Sequence, residues 1–146
     1  LREAVPLLPA LQPALVRDID CDVVAEGQGS DPALPSQVVH EDSVVRTQAG
    51  PHGGAGPTTA YPFFADAEGL PFVLRKRVLH KGAGIGLHPQ HKDEIYYIVS
   101  GQGSYVLDGR QYDVHAGHAL LTRKGSHHAL QQVGEEDLVV LLVYPR

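Results

Sequence analysis

Apolar residues in the second half of this chain fall at every second position or in short unbroken runs. Both patterns belong to strands, whose side chains alternate between faces. From Phe72 to Leu79 one face carries Phe72, Leu74, Lys76 and Val78, the other Val73, Arg75, Arg77 and Leu79. The first set is the more apolar and is predicted to face inward, bringing Lys76 to a pocket. Glu94 to Val99 predicts a strand with Glu94, Tyr96 and Ile98 inward and Tyr97 outward. Gly103–Leu107 and Arg110–Val114 flank Asp108-Gly109, the preferred two-residue hairpin turn. Ala116-Gly117 and Lys124-Gly125 predict further turns around a strand at Ala119–Thr122. Asp137 to Tyr144, continuously apolar from Leu138 onward, predicts a strand buried on both sides. Short strands punctuated by glycine turns predict an all-β antiparallel sandwich or barrel.

The first half is irregular. Pro6, Pro9 and Pro13 interrupt residues 1–20 and leave room for at most a short helix near Ala14–Arg17, so an extended apolar arm is expected. Such an arm covers either its own barrel or a second subunit, and the latter predicts a homodimer. A loop from Gly27 to Pro35 precedes two expected short strands, Gln37–His40 and Ser43–Thr47. Gln48–Thr59, rich in glycine and proline, predicts a connection near a pocket mouth, with His52 a solvated loop histidine. Tyr61-Pro-Phe-Phe64 is expected to plug the core. The expected division is an arm with accessory strands over 1–60 and a barrel over 61–146.

Composition narrows the function classes. A chain of 146 residues fits one domain, and its net charge of −5 with interspersed signs offers nucleic acid no basic stripe. No run of eighteen apolar residues predicts a membrane-spanning helix. Cys21 is alone, which excludes an intramolecular disulfide. Position 1 is not methionine, which leaves a removed export signal open and the compartment undetermined. Gly82, Gly84 and Gly86 lack the Lys-Ser/Thr of a phosphate loop, and no Gly-x-Ser-x-Gly elbow occurs.

The chemistry concentrates between Gly82 and Gly101, where His88, Gln90, His91 and Glu94 fall within seven positions. On a strand His88 and Gln90 share a face, and Glu94 has the same parity. Nitrogen and oxygen donors without a thiolate suit one divalent transition-metal ion: zinc, manganese, iron or nickel. A further ligand is expected from His127-His128, only one of which can face the site.

These segments resemble the two motifs of the cupin superfamily. Gly82, His88, Glu94 and Gly101 match the first, with Gln90 at the second histidine position. Gly117, Gly125 and His128 match the second, with Arg123 at its proline and Gln132 at its asparagine. The resemblance spans about residues 70 to 144 and implies a single antiparallel jelly-roll barrel holding one ion on His88, Gln90, Glu94 and His128. Parity favours Gln90 as the ligand and basicity favours His91, and a bend at Pro89 would decide for His91. A displaced His91 would be a candidate general base, and Tyr96 is either a catalytic-site phenol or a packed core aromatic. The family implies a metal-dependent protein for a small oxygen-rich substrate (a sugar, keto acid or catechol-like compound), acting as a dioxygenase or as an isomerase or epimerase. The alternatives are a non-enzymatic metal-anchored small-molecule or sugar-binding cupin, and a barrel with an empty site.

Overall fold

The alternation along the chain becomes two antiparallel sheets in the computed structural model, which describes residues 34–146. The expected arm, its short helix and Cys21 lie outside the described residues. One sheet has six strands in the order β1 (Arg46–Ala49), β2 (Pro57–Phe63), β3 (Phe72–Leu79), β10 (Leu138–Pro145), β5 (Glu94–Ser100) and β8 (Ala119–Thr122). The other has four, in the order β4 (Gly84–Pro89), β9 (His127–Val133), β6 (Gln102–Leu107) and β7 (Arg110–His115). The core lies between them. Leu79, Ile98, Leu138 and Val140 of the larger sheet pack with Ile85, Tyr105, Val114 and Leu130 of the smaller. This is the layered jelly-roll arrangement of a small antiparallel barrel.

The hairpin of β6 and β7 turns at Asp108-Gly109, both left-handed at φ 48° and 81°, as a two-residue turn of matching twist requires. Glu94, Tyr96 and Ile98 are buried while Ile95, Tyr97 and Val99 are exposed, the alternation expected of β5.

Four local expectations are corrected. The strand β3 is inverted: Arg77 and Leu79 are buried and Phe72 is 47% exposed. Counting apolar residues misassigns it because the inner face lines a cavity that accommodates guanidinium groups. Outside, Lys76 bonds to Glu41 and sits 4.2 Å from the Tyr61 ring centroid. Gln37–His40 is not a strand, and Ser43 ends a short 3-10 turn, so regular pairing starts only at Arg46. Tyr61–Phe64 is half-buried along and just beyond β2 and no plug, because β2 pairs between β1 and β3 in the sheet. Only one face of β10 is fully buried; Val139, Leu141 and Val143 on the other are half-buried, because the opposing sheet covers a single side.

Candidate metal centre

A bulge aims the first histidine. Ile85 pairs with Leu130 but His88 pairs with His128, so β4 spends three residues where β9 spends two. The extra residue shifts the phase of alternation, and Ile85 and His88 both point inward despite opposite parity. His128 stands directly across the ladder and is 0% exposed, while its neighbour His127 is exposed. Glu94 begins β5 and approaches from the opposing sheet.

His88, Glu94 and His128 are buried, each offers a ligand atom, and these atoms lie within 4.8 Å of one another. The two imidazole Nε2 atoms are 3.1 Å apart, and His128 Nε2 is 3.5 Å from Glu94 Oε1. Donors bound to one ion at about 2.0–2.2 Å stand roughly 3.0–3.6 Å apart, which both distances from His128 match.

The hydrogen bonds supply a separate test. His88 Nδ1 lies 2.7 Å from the Gly86 carbonyl, which can only accept, so the proton sits on Nδ1 and a lone pair on Nε2. His128 Nδ1 meets the Thr122 hydroxyl at 2.8 Å, with the Tyr105 hydroxyl at 3.3 Å. Burial first, then His88 and His52, hold the His128 pKa down at about 4, so this ring is neutral at neutral pH. With its Nδ1 proton given to Thr122, it presents a second lone pair to that of His88. Glu94 Oε1 is buried without a hydrogen-bond partner. Its pKa is raised by desolvation, against the opposing hydrogen bond from Tyr96 and the charges of His88 and Arg75. Two facing lone pairs and an orphaned carboxylate oxygen repel one another unless a cation lies among them, and the cluster can hold a metal.

Gln90 keeps the parity of His88 across Pro89, its backbone N–H donating to the Ser126 carbonyl at 2.8 Å. Its Oε1 lies 3.1 Å from His88 Nε2. His91 is exposed on the wall of the same cavity. Tyr96 is buried against the His128 ring, centroids 5.2 Å apart. Burial and the adjacent Glu94 push its phenol well above the usual value, leaving a donor and not a base.

His52 is the residue that sequence reasoning missed. One face of its ring is exposed, but the other lies on the His88 ring, with centroids 3.6 Å apart and planes 8° apart. Close backbone approach permits this. A Cβ at Gly86 would stand 2.1 Å from the His52 carbonyl oxygen, and one at Gly54 would stand 1.9 Å from that of Gly84. The cavity beside the cluster measures about 320 Å³ and is walled on the β3 side by Arg75 and Arg77. Lys76, the expected pocket lysine, faces away.

The chain is thus a two-sheet antiparallel jelly roll whose buried His-Glu-His cluster could hold a metal. Residues 76–144 match the family described as Cupin domain, and this part of the chain is a domain of the cupin superfamily. An oxalate-binding protein of Thermotoga maritima is 35% identical over 72 residues, covering 49% of this chain and 60% of that protein, so the match spans less than two thirds of this relative. A solved structure of a predicted oxalate decarboxylase from Thermotoga maritima is similar with a TM-score of 0.67 and 25% identity, over 75% of this chain and 98% of that one. The polyketide cyclase RemF from Streptomyces resistomycificus shares the fold, with a TM-score of 0.65 and 22% identity over 76% of this chain and 80% of its own.

Proposed function

We propose that this cupin holds one divalent transition-metal ion on His88, Gln90, Glu94 and His128 and binds a small oxygen-rich molecule in the adjoining cavity. The observation that carries this reading is the meeting of two imidazole lone pairs and an unpartnered carboxylate oxygen in a buried spot, with His128 Nε2 3.1 Å from His88 Nε2 and 3.5 Å from Glu94 Oε1. A bound dication would supply Lewis acidity and open coordination positions for oxygen ligands. The chain's residues do the rest. Thr122 and Tyr105 fix the His128 ring, Gly86 fixes that of His88, and protonated Tyr96 supports Glu94. His91, exposed on the cavity wall, is placed to carry a proton to or from the bound molecule, and turnover would then be an oxygenation or an isomerisation. A binding module without turnover is the second reading, supported by the relative described as oxalate-binding. A homodimer is part of the proposal, supported by the apolar outer face of β5 and β8.

Metal analysis of protein purified without chelator tests it. One ion per chain is expected, with loss in Glu94→Ala and His128→Ala. Undiminished metal in both variants, or none in the parent after loading with zinc, manganese, iron or nickel, overturns the assignment.

A further inference from the structure

We propose that Arg75 and Arg77 form an anion-recognising end of the cavity and restrict its ligand to a small carboxylate. The proposal rests on the metal reading for the ligand's other end only.

The two arginines are two apart on β3 and both line the cavity. Arg77 is 5% exposed, and its Nη1 donates to Thr58 Oγ1 at 2.9 Å and Gln48 Oε1 at 3.2 Å. Its Nε is buried without a partner, and so is the Nε of Arg75. The Arg75 guanidinium lies 5.9 Å from the Tyr144 ring centroid, which positions it without neutralising it. Among the described residues neither arginine has a carboxylate within ion-pair distance. An isolated buried cation is costly, and two side by side more so. Burial first and the charge of Arg75 second lower the pKa of Arg77, in keeping with a counter-charge that the protein does not provide.

The charge balance of the cavity indicates what provides it. Two guanidinium groups, the exposed Lys92 ammonium and a divalent ion face one carboxylate, Glu94, whose oxygens belong to the ion. The hydroxyls of a neutral sugar or diol accept hydrogen bonds but leave the guanidinium charges uncompensated, whereas a planar carboxylate accepts from a guanidinium fork and supplies the counter-charge. The remaining wall is largely apolar, with Ile85, Leu142 and Pro51, and the volume of about 320 Å³ sits near the low end of ligand pockets. The matching ligand is small, with a carboxylate for the arginines and chelating oxygens for the ion: a short dicarboxylate or a 2-oxo acid.

Calorimetry on manganese-loaded protein tests this with malonate and pyruvate against malonamide, ribose and inorganic phosphate. Malonate or pyruvate should bind roughly tenfold or more tightly than malonamide and ribose, reflecting a lost charge-assisted hydrogen bond. Arg75→Gln should weaken the carboxylate by a similar factor with metal content unchanged, and Arg75→Lys should restore part of it. Equal affinity for malonamide, tighter binding of phosphate than of either carboxylate, or Arg75→Gln within twofold of the parent overturns the proposal. If the parent holds no metal, the proposed function fails separately. The carboxylate end is then judged on metal-free protein, where malonate should raise the Tm of the parent but not of Arg75→Gln, and an equal response in both overturns it.

Discussion

His52 lies flat on His88, ring centroids 3.6 Å apart, although thirty-six positions separate them in the chain. The ring of His88 is thereby held on one face by His52 and at Nδ1 by the Gly86 carbonyl, which fixes the direction of its Nε2. His52 is thus a positioning residue. His52→Ala should leave one ion per chain at saturation and weaken metal affinity by about tenfold, the usual effect of removing an outer support. Competition with a chelating dye measures it, and an unchanged affinity would reduce the stack to ordinary packing.

The stack depends on glycine. At Gly86 a methyl group would meet the His52 carbonyl oxygen at 2.1 Å, a backbone atom that cannot swing aside. Gly86→Ala should therefore lift the 50–56 segment off β4, lowering Tm by roughly 3–10 °C and weakening metal at least as much as His52→Ala does. A scanning-calorimetry trace matching the parent would show that the segment is not held by this approach.

The fold and half of the site were legible because both are local. Alternation marks β5 wherever one face meets the core, and Asp108-Gly109 marks the hairpin of β6 and β7 through backbone conformation alone. His88, Glu94 and His128 lie in two short segments whose spacing carries the resemblance. The remainder depends on contacts between distant segments. Nothing in Gly86-Leu87 announces the bulge that turns His88 inward, and nothing near His52 announces that β4 is close enough to receive its ring. On β3 the apolar count favours the face of Phe72, Leu74, Lys76 and Val78, and nothing local shows that Arg75 and Arg77 form a cavity wall.

Tyr105, Thr122 and His128 form one buried network, in which Thr122 Oγ1 stands 2.8 Å from His128 Nδ1. Thr122→Val keeps the shape but removes the acceptor, leaving a buried N–H at a cost of about 1–3 kcal/mol. The freed ring can also carry its proton on Nε2, where it blocks coordination. Thermal unfolding and metal titration should both report losses, and a metal affinity equal to the parent's would remove the network from the site's support.

Ile95 and Leu121 pair across β5 and β8, and Tyr97 and Val99 continue the same exposed face without a charged residue among them. An uncharged apolar surface can meet its own copy across a twofold axis without like charges opposing one another. Light scattering should give a dimer for the full chain and a monomer for the double variant Tyr97→Lys, Leu121→Lys. A monomeric parent at high concentration rules the dimer out.

Gln90 and His91 remain the sharpest contrast in the site. Gln90 Oε1 lies 3.1 Å from His88 Nε2, while His91 is exposed on the cavity wall. An amide oxygen is a weaker donor to late transition metals than imidazole, so Gln90→His should tighten zinc or nickel binding and Gln90→Ala should loosen it. His91→Ala should leave the metal content intact. If it empties the site while Gln90→Ala does not, the ligand assignment is reversed. The same variant separates the two functional readings, because His91 is an exposed imidazole on the cavity wall. In an enzyme, His91→Ala keeps metal and ligand affinity but loses roughly a hundredfold or more in turnover. In a binding module the same substitution changes ligand affinity alone, and no substrate in the carboxylate series is consumed by the parent protein.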